Sequence, residues 1–298
     1  MSDADIATVH ELLDAAAVAD GRYPLSDHLA IDLADGGGSG FTGIVMHGSG
    51  NGPLTAYGQV SRANDAYAVE LVVHPQLRAE LATIGDELLA AATDAVADGG
   101  GGDLSWWVFE PTEDHHRLAT SAGLAVGRRL HQMRRGLPTG LDVTIETRAF
   151  VPGVDDTEWL AVNNRAFAGH GEQGGWTADT LRTRLAEPWF DPEGFRVHER
   201  EGRMAGFCWT KVHPPTAPAD GAEGEIYVIA VDPDFHGLGL GTQLTLAGLE
   251  HLSDRGISAA LLYVDADNAA AGAVYRKLGF EVAATNVAFV MTVEGASR

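Results

Sequence analysis

Apolar residues along the chain alternate between short, nearly continuous runs and longer stretches with the three-to-four-residue spacing of an amphipathic helix. In the first half this pattern predicts helices at 6–19, 27–33, 80–97 and 114–121, and strands at 41–47, 53–60, 67–73, 104–109 and 124–133. In the second half it predicts strands at 195–198, 205–213, 225–231, 259–264 and 281–293, and helices at 240–255 and 269–277. Strands that alternate with helices are typical of an α/β fold with some parallel pairing.

The two halves also resemble each other. The apolar run that ends at Pro75 matches the run that ends at Pro233, and similar elements follow each proline at nearly the same spacing. Between the halves, Gly136-Leu-Pro-Thr-Gly140 is typical of a turn or linker. Coincidence between two unrelated α/β units is the alternative, but a length of 298 residues also favours two domains. The sequence therefore predicts a duplicated domain, with an amino-terminal copy at 1–136, a linker at 137–141 and a carboxy-terminal copy at 142–298.

Composition limits the classes of partner. The chain has 42 acidic and 20 basic side chains and a formal net charge of -22, and so acidic a surface repels nucleic acid and anionic lipid. No apolar run approaches the roughly 18–20 residues of a membrane helix, and the acidic amino terminus is unlike a signal peptide. Cys208 is the single cysteine, which excludes an internal disulfide and a multi-cysteine zinc site. With no evident base beside it, Cys208 is expected in the core. We expect a cytoplasmic monomer without nucleic-acid, membrane or metal partners.

The most informative segment is V-D-P-D-F-H-G-L-G-L-G-T-Q-L, from Val231 to Leu244. A strand ends at a proline, and the chain then turns through three glycines into an amphipathic helix. Glycines let the backbone approach a ligand closely, and free amides at a helix start bind phosphate. The spacing is neither the Gly-x-Gly-x-x-Gly of dinucleotide-binding folds nor that of a P-loop. For this segment alone, a purely structural turn is the alternative.

The surrounding residues resemble the GNAT acetyltransferase superfamily. His236-x-x-Gly239-x-Gly241 is similar to its acetyl-CoA loop, and Asn268-x-x-Ala…Tyr275-x-x-x-Gly-Phe is similar to its second signature. The resemblance implies two tandem GNAT domains, each with a mixed, largely antiparallel central sheet flanked by helices. The coenzyme-binding residues that it implies are Ile229, Ala230, Val231, His236, Gly237, Leu238, Gly239, Leu240, Gly241, Thr242, Asn268, Ala269, Ala270, Ala271, Gly272 and Ala273. His236 stands where the superfamily usually has glutamine or arginine, so less positive charge would face a pyrophosphate there.

A narrower resemblance covers almost the whole chain. It rests on the segments Asp20–Asp27, Asn163–Trp176, Phe207–Pro214 and Glu225–Pro233, which are similar to those of the mycothiol synthase family, tandem GNAT enzymes of actinobacteria. The resemblance implies acetyl transfer from acetyl-CoA to the cysteinyl amine of 1D-myo-inositol 2-(L-cysteinylamino)-2-deoxy-α-D-glucopyranoside, the last step of mycothiol biosynthesis. A GNAT enzyme for another small amine and a non-catalytic acetyl-CoA sensor are the alternatives.

The same resemblance assigns roles to single side chains. A free α-amine is substantially protonated near neutral pH, so its attack on a thioester needs proton removal. Glu225 is implied as the general base and Tyr275 as the general acid, and the alternatives are a solvated carboxylate and a packing tyrosine. Backbone amides near Ile229–Val231 would polarise the thioester carbonyl. The implied substrate-binding residues are Asp27, Glu172, Lys211, Glu225 and Tyr263, in a pocket that both domains would line.

The first copy departs from this pattern. The segment after Pro75 has no glycine at the positions that match Gly239 and Gly241, and Glu80 would repel a pyrophosphate. The strand backbone at Leu71, Val72 and Val73 keeps the groups that pair with a pantetheine arm, and it is the candidate second coenzyme site. We therefore expect a degenerate amino-terminal domain and a catalytic carboxy-terminal domain.

Overall fold

The chain forms two compact units. The computed structural model describes residues 3–38, 40–48, 52–63, 66–169, 173–215 and 221–296. Unit 1 consists of Met1–Arg129 with Thr285–Arg298, and unit 2 consists of Leu130–Ala284. Each unit has a mixed, largely antiparallel sheet flanked by helices, which confirms the predicted α/β fold class.

The elements of the first half follow the predicted order, and their ends differ from the prediction by only a few residues. They are α1 (Asp3–Asp20), α2 (Asp27–Ala34), β1 (Thr42–His47), β2 (Leu54–Ala63), β3 (Ala66–Val73), α3 (Leu81–Asp98), β4 (Gly101–Val108), α4 (Glu113–Ser121) and β5 (Ala125–Gly136). A short 3₁₀ turn at Pro75–Glu80 precedes α3.

The second half contains the predicted elements and three more. Its elements are β6 (Arg148–Ala149), α5 (Asp156–Ala166), α6 (Ala178–Leu185), β7 (Phe195–Arg200), β8 (Arg203–His213), β9 (Glu223–Val231), α7 (Leu240–Asp254), β10 (Ala259–Asp265), α8 (Ala269–Lys277) and β11 (Glu281–Glu294). The sequence analysis assigned no element to the positions of β6, α5 and α6. Helix α5 buries only Trp159, Val162 and the polar Asn163, and α6 buries only Leu181. Their apolar stripes are too sparse to show in the pattern.

The sheets of the two units share one arrangement. In unit 1, β1, β2 and β3 pair antiparallel in chain order, β4 is parallel to β3, and β11 is antiparallel to β4. In unit 2, β7, β8 and β9 pair antiparallel, β10 is parallel to β9, and β5 is antiparallel to β10. Strand β6 adds to the outside of β7. The duplicated order of elements is therefore a duplicated strand topology.

In both units, the strand that pairs with the second strand of the parallel pair comes from the other half of the chain. Unit 2 begins at Leu130, so the paired part of β5 belongs to it, although β5 follows the helices of the first half. Unit 1 takes back Thr285–Arg298, which contain the part of β11 that pairs with β4. The compact units therefore cut across the predicted segments 1–136, 137–141 and 142–298, which stay a prediction about chain organisation.

The sheet of unit 2 has a core on each face. On the α7 and α8 face, aliphatic side chains such as Leu244, Leu249 and Leu262 are fully buried. The opposite face is aromatic, and Phe195 stacks on Trp209 with ring centroids 4.4 Å apart. Helices α5 and α6 contribute to that aromatic cluster, so they cover part of the face that the sequence pattern left without helices.

Candidate functional site

Strand β9 separates from its parallel neighbour β10 part-way along its length. The two strands pair only from Gly224 to Ile226, whereas β9 stays paired with β8 as far as Val231. At Tyr227 the register with β8 slips by one residue. A bulge of this kind bends a strand and ends its pairing. Among the residues that the structure describes, the edge of β9 that faces β10 therefore has no strand partner from Tyr227 onward.

A glycine turn follows this open edge and leads into α7. Gly237 and Gly239 have φ angles of 80° and 74°, which other residues rarely adopt. Apart from the glycine and its two chain neighbours, no atom of the described residues lies within 4 Å of an added Cβ at Gly237 or Gly239. The first turn of α7 leaves its N–H groups without helical partners and contains no acidic residue. The turn is therefore an open backbone surface that suits an anion.

Arginines from two other elements hold the start of this turn. Asp232 is buried, pairs with Arg165 of α5, and accepts a hydrogen bond from the backbone N–H of Asp234 at 3.0 Å. Arg203 of β8 lies 3.2 Å from the Asp234 carboxylate. These ion pairs fix the path of the chain between β9 and the glycines, and the sequence analysis assigned none of them a role.

Two predicted coenzyme residues make local contacts with their side chains. Nε2 of His236 lies 3.1 Å from the carbonyl oxygen of Val231, so the ring folds back on the end of β9. Oδ1 of Asn268 accepts a hydrogen bond from the N–H of Ala271 at 3.1 Å and caps α8. The cap fixes the start of the helix that carries Tyr275.

Three polar side chains meet on the aromatic face of the unit 2 sheet. Glu225 lies opposite Lys211 in the β8–β9 register, and His213 lies two residues further along β8. Glu225 is buried, and its Oε2 is 2.6 Å from Nε2 of His213. Since pairing between β9 and β10 ends at Ile226, this carboxylate lies at the beginning of the open edge.

Aromatic rings surround the Lys211 ammonium. Its Nζ lies 4.7 Å from the ring centroid of Trp189 and 5.6 Å from that of Tyr227. The two rings contact each other edge to face at 4.9 Å. Since an ammonium is attracted to aromatic faces, these rings hold the buried lysine on the face that carries Glu225.

Tyr263 lies on the same face of the sheet. Leu261 of β10 is opposite Glu225, and Tyr263 lies two residues further along β10, so its side chain projects to the same side. The hydroxyl of Tyr263 accepts a hydrogen bond from Nε2 of Gln132 on β5 at 2.8 Å. The structure thus brings together three of the predicted substrate residues, Lys211, Glu225 and Tyr263.

Tyr275 and Cys208 lie on the opposite face, in the core against α7. Burial, and to a lesser extent the Cys208 thiol, raise the pKa of Tyr275 to about 12. Its phenol is therefore protonated throughout the neutral range. Burial raises the pKa of Cys208 to about 12 as well, and its side chain is fully buried. The predicted core position of Cys208 is confirmed.

Of the two remaining predicted substrate residues, one belongs to unit 1 and one lies outside the described residues. Asp27 is the first residue of α2 in unit 1, directly after Ser26 at the N-cap. Glu172 lies outside the described residues. The roles of Asp27 and Glu172 stay predictions.

Unit 1 differs from unit 2 at the matching positions. Strand β3 pairs with β2 without a register slip, but its pairing with β4 ends at Val69, so among the described residues the edge at Leu71, Val72 and Val73 is open as in unit 2. Between β3 and α3, where every residue is described, the chain forms a 3₁₀ turn without glycine, and Glu80 is the N-cap of α3. Arg78 in this turn forms a bidentate ion pair with Asp20 at 2.7 and 2.8 Å. The bulge and the open glycine turn therefore distinguish unit 2, and the second coenzyme site stays a prediction.

Curated relatives are similar in sequence to this protein over nearly the whole chain. Residues 159–280 match the model of the acetyltransferase (GNAT) family. A mycothiol acetyltransferase of Thermobispora bispora is 44% identical over 281 residues, which cover 93% of this chain and 92% of that protein. The chain belongs to the mycothiol acetyltransferase family. One from Streptomyces coelicolor is 42% identical over 289 residues, which cover 93% of this chain and 89% of that protein. The enzyme is an N-acetyltransferase of the GNAT type, as predicted.

Solved structures share the fold at low sequence identity. A GCN5-related N-acetyltransferase from Sphaerobacter thermophilus superposes with a TM-score of 0.72 at 21% identity and covers 100% of this chain and 96% of its own. A tandem GNAT protein from the clavulanic acid biosynthesis pathway superposes with a TM-score of 0.69 at 17% identity and covers 99% of this chain and 97% of its own. These likenesses confirm the predicted tandem GNAT architecture.

The described ranges contain neither a candidate membrane span nor a candidate metal cluster. None of the helices described there combines the length and the apolarity that a bilayer crossing demands. The same ranges contain no group of three or more His, Cys, Asp or Glu side chains placed to hold a metal ion.

Three residues of the site were missed by the sequence analysis. His213 lies in one of the segments on which the resemblance rests, and strand alternation places it on the same face as Lys211, but no role was assigned to it. Trp189 lies in a loop without periodicity, and Arg165 lies on the unpredicted helix α5. Arg165 lies in another of the segments on which the resemblance rests, Asn163–Trp176, but its pairing with Asp232 depends on tertiary structure. For Trp189 there was no local signal, because its contacts with Lys211 and Tyr227 are tertiary.

Proposed function

We propose that this enzyme transfers the acetyl group of acetyl-CoA to the cysteinyl amine of 1D-myo-inositol 2-(L-cysteinylamino)-2-deoxy-α-D-glucopyranoside, the last step of mycothiol biosynthesis. The observation that carries the proposal is the position of Glu225, a buried carboxylate at the beginning of the open edge of β9. Relatives at 44% and 42% identity that bear the name mycothiol acetyltransferase support this choice of pathway.

The residues of unit 2 fit the coenzyme. Acetyl-CoA supplies an acetyl group that is already activated as a thioester. The open edge at Ile229–Val231 offers backbone N–H and C=O groups to the amides of a pantetheine arm. The turn at His236–Thr242 offers N–H groups, without acidic side chains in the first turn of α7, to a pyrophosphate. We assign Asn268–Ala273 to the same site, because small side chains at the start of α8 allow close approach.

Glu225 acts as the general base in this proposal. A free α-amine has an ordinary pKa of about 7.7–8.0, so most of the acceptor is an ammonium at neutral pH and cannot attack. A carboxylate beside the open edge can take the proton, and such assistance is typically worth about 10² to 10⁴ in rate. Backbone N–H groups at Ile229–Val231 polarise the carbonyl that the amine attacks.

Tyr275 acts as the general acid. The leaving thiolate needs a proton, and the Tyr275 phenol carries one at neutral pH, since even an unperturbed tyrosine ionises only near pH 10. Tyr275 is carried by α8, whose first residues we assign to the coenzyme site. Tyr275 lies on the α7 face and Glu225 on the aromatic face, so in this proposal the thioester lies between them at the open edge of β9.

Lys211 and Tyr263 bind the acceptor in this proposal. Both lie on the face of the sheet that carries Glu225, and their ammonium and hydroxyl groups suit the hydroxyl and carbonyl oxygens of a cysteinyl sugar. Asp27 and Glu172 complete the proposed set of acceptor-binding carboxylates, on the resemblance to the family alone.

Steady-state kinetics with a panel of amines test the proposal. The acceptors are the cysteinyl pseudodisaccharide, the same pseudodisaccharide without cysteine, free cysteine and an aminoglycoside, each with saturating acetyl-CoA. We expect kcat/KM for the complete acceptor to exceed the others by about a hundredfold or more, because a site built for hydrogen bonds rejects ligands that lack them. Equal or faster acetylation of an unrelated amine would favour the small-amine alternative. Acetyl-CoA binding by calorimetry without turnover of any acceptor would favour the sensor.

A further inference from the structure

Acetylation of an ammonium produces a proton that must leave the site. The nitrogen loses two protons on the way from ammonium to amide, and the coenzyme thiol keeps only one of them. One proton per turnover therefore passes to bulk water. If Glu225 takes it from the amine, the carboxyl must release it before the next cycle.

Glu225 is poorly placed to release a proton directly to water, whereas His213 is well placed. The Glu225 side chain is 10% exposed and the His213 side chain is 36% exposed, with Nε2 and Oε2 only 2.6 Å apart. At this distance a proton can pass between carboxyl and imidazole through one hydrogen bond. Imidazole is also the side chain whose ordinary pKa of about 6.5 lets it gain and lose protons near neutral pH.

Other ionisable groups lie on the same face of the sheet. Lys211 lies opposite Glu225, and its ammonium lies against the rings of Trp189 and Tyr227. Glu223, opposite His213, accepts a hydrogen bond of 2.7 Å from Nε of Arg134 on β5. From β10 the residue opposite Glu225 is the apolar Leu261, and Tyr263 lies two residues beyond it. His213 is in direct contact with the Glu225 carboxylate, at 2.6 Å.

We propose that His213 is the proton exit of the site: it accepts the acceptor-derived proton from Glu225 and passes it to water. The inference rests on the proposed function, since it assumes that Glu225 is the base. The O–H bond at Oε2 of Glu225 breaks as an N–H bond forms at Nε2 of the neutral ring. The resulting imidazolium loses its Nδ1 proton to water. Nε2–H then donates to the resting Glu225 carboxylate, and exchange with water returns the ring proton to Nδ1 and frees Nε2 when the carboxyl is next protonated.

Variants of the full chain separate proton transfer from simple positioning. His213→Ala removes the ring and leaves space for free imidazole, whereas His213→Gln keeps a hydrogen-bond donor that cannot carry a proton. The matched control is His198→Gln on β7, whose ring contacts the carbonyl oxygen of Glu146 at 2.8 Å. For each variant kcat, both KM values and the melting temperature are measured with and without free imidazole.

We expect both His213 variants to lose about ten- to a hundredfold in kcat, with KM for acetyl-CoA unchanged. Free imidazole should restore most of the kcat of His213→Ala but none of that of Glu225→Gln, and His198→Gln should match the wild type. Wild-type kcat in His213→Gln would overturn the relay in favour of a positioning hydrogen bond. Loss of kcat in His213→Ala without any response to imidazole would also overturn it. A fully active Glu225→Gln would instead overturn the assignment of the base, and the proposed mechanism with it.

Discussion

The stability of unit 2 depends on β5, a strand that chain order assigns to the first half. The segment 142–284 keeps every other element of unit 2 but lacks β5, whereas the segment 130–284 is the complete compact unit. We expect 130–284 to fold cooperatively and 142–284 to remain unfolded or aggregate.

The magnitude follows from the contacts of β5. It pairs with β10 from Leu130 to Gly136 and buries Met133 completely in the core against α7. Burial of a methionine is worth about 1.5–3 kcal/mol, and each strand hydrogen bond has a net worth of about 0.5–1.5 kcal/mol. Their loss approaches the whole free energy of unfolding of a domain, about 5–15 kcal/mol. It would also leave β10 as an unprotected edge strand.

Circular dichroism and thermal melting of the two purified segments measure this difference. A cooperative melt of 142–284 within a few degrees of 130–284 would refute the reasoning, because the strand would then contribute nothing to unit 2. The two segments also test the predicted domain boundary at 137–141, since a domain that begins at residue 142 would have to fold without β5.

Three further predictions concern single side chains. Tyr275→Phe should lower kcat with little change in acetyl-CoA affinity by calorimetry, and a wild-type single-turnover rate in this variant would rule out Tyr275 as the acid. Since the pKa of Tyr275 is about 12, ionisation of its phenol should cause no loss of wild-type rate below pH 10. Gly248→Ala should lower the free energy of unfolding by about 1–3 kcal/mol in urea melts, because the new Cβ would lie 2.5 Å from Sγ of Cys208. Adding Cys208→Ala should restore part of this loss, and a double variant no more stable than Gly248→Ala would disprove the contact. Gly239→Glu should weaken acetyl-CoA binding by about tenfold or more, because glutamate is strained at a φ of 74° and adds a negative charge at the start of α7. Glu80→Gly should leave turnover unchanged. If Glu80→Gly changed turnover and Gly239→Glu did not weaken binding, the productive coenzyme site would belong to unit 1.

The sequence pattern predicted the part of the site that lies within one short segment, from the end of β9 through the glycine turn into α7. The run into Pro233, the glycines and the amphipathic spacing of α7 lie within one short segment, so backbone preference and hydrophobic period gave its strand, turn and helix correctly. The same holds for Cys208, whose lack of a nearby base in the sequence agreed with its buried place in the core.

Contacts that depend on long-range pairing could not be predicted. Strand β5 pairs within unit 2 and β11 within unit 1, and the apolar pattern of each strand does not show which sheet it joins. The contact between His213 and Glu225 depends on the β8–β9 register and on a bulge at Tyr227, and both are tertiary features. Helix α5 was missed because its few buried positions, Trp159 among them, are separated by polar residues.

The most direct test of the central claim is the pH dependence of the single-turnover rate of Glu225→Gln. The matched control is Glu223→Gln, the same change two residues earlier on the same face of β9, where the carboxylate contacts Arg134. Acetyl-CoA affinity is measured beside the rate, since the substitution should leave it nearly intact.

If Glu225 removes the proton from the amine, Glu225→Gln should lose about 10² to 10⁴ in rate, and the loss should be largest at low pH. Below the ordinary amine pKa of about 7.7–8.0 the acceptor is mostly an ammonium, whereas above it free amine needs less assistance. Glu223→Gln should follow the wild-type profile. A Glu225→Gln profile that matches the wild type in both rate and shape would contradict the account.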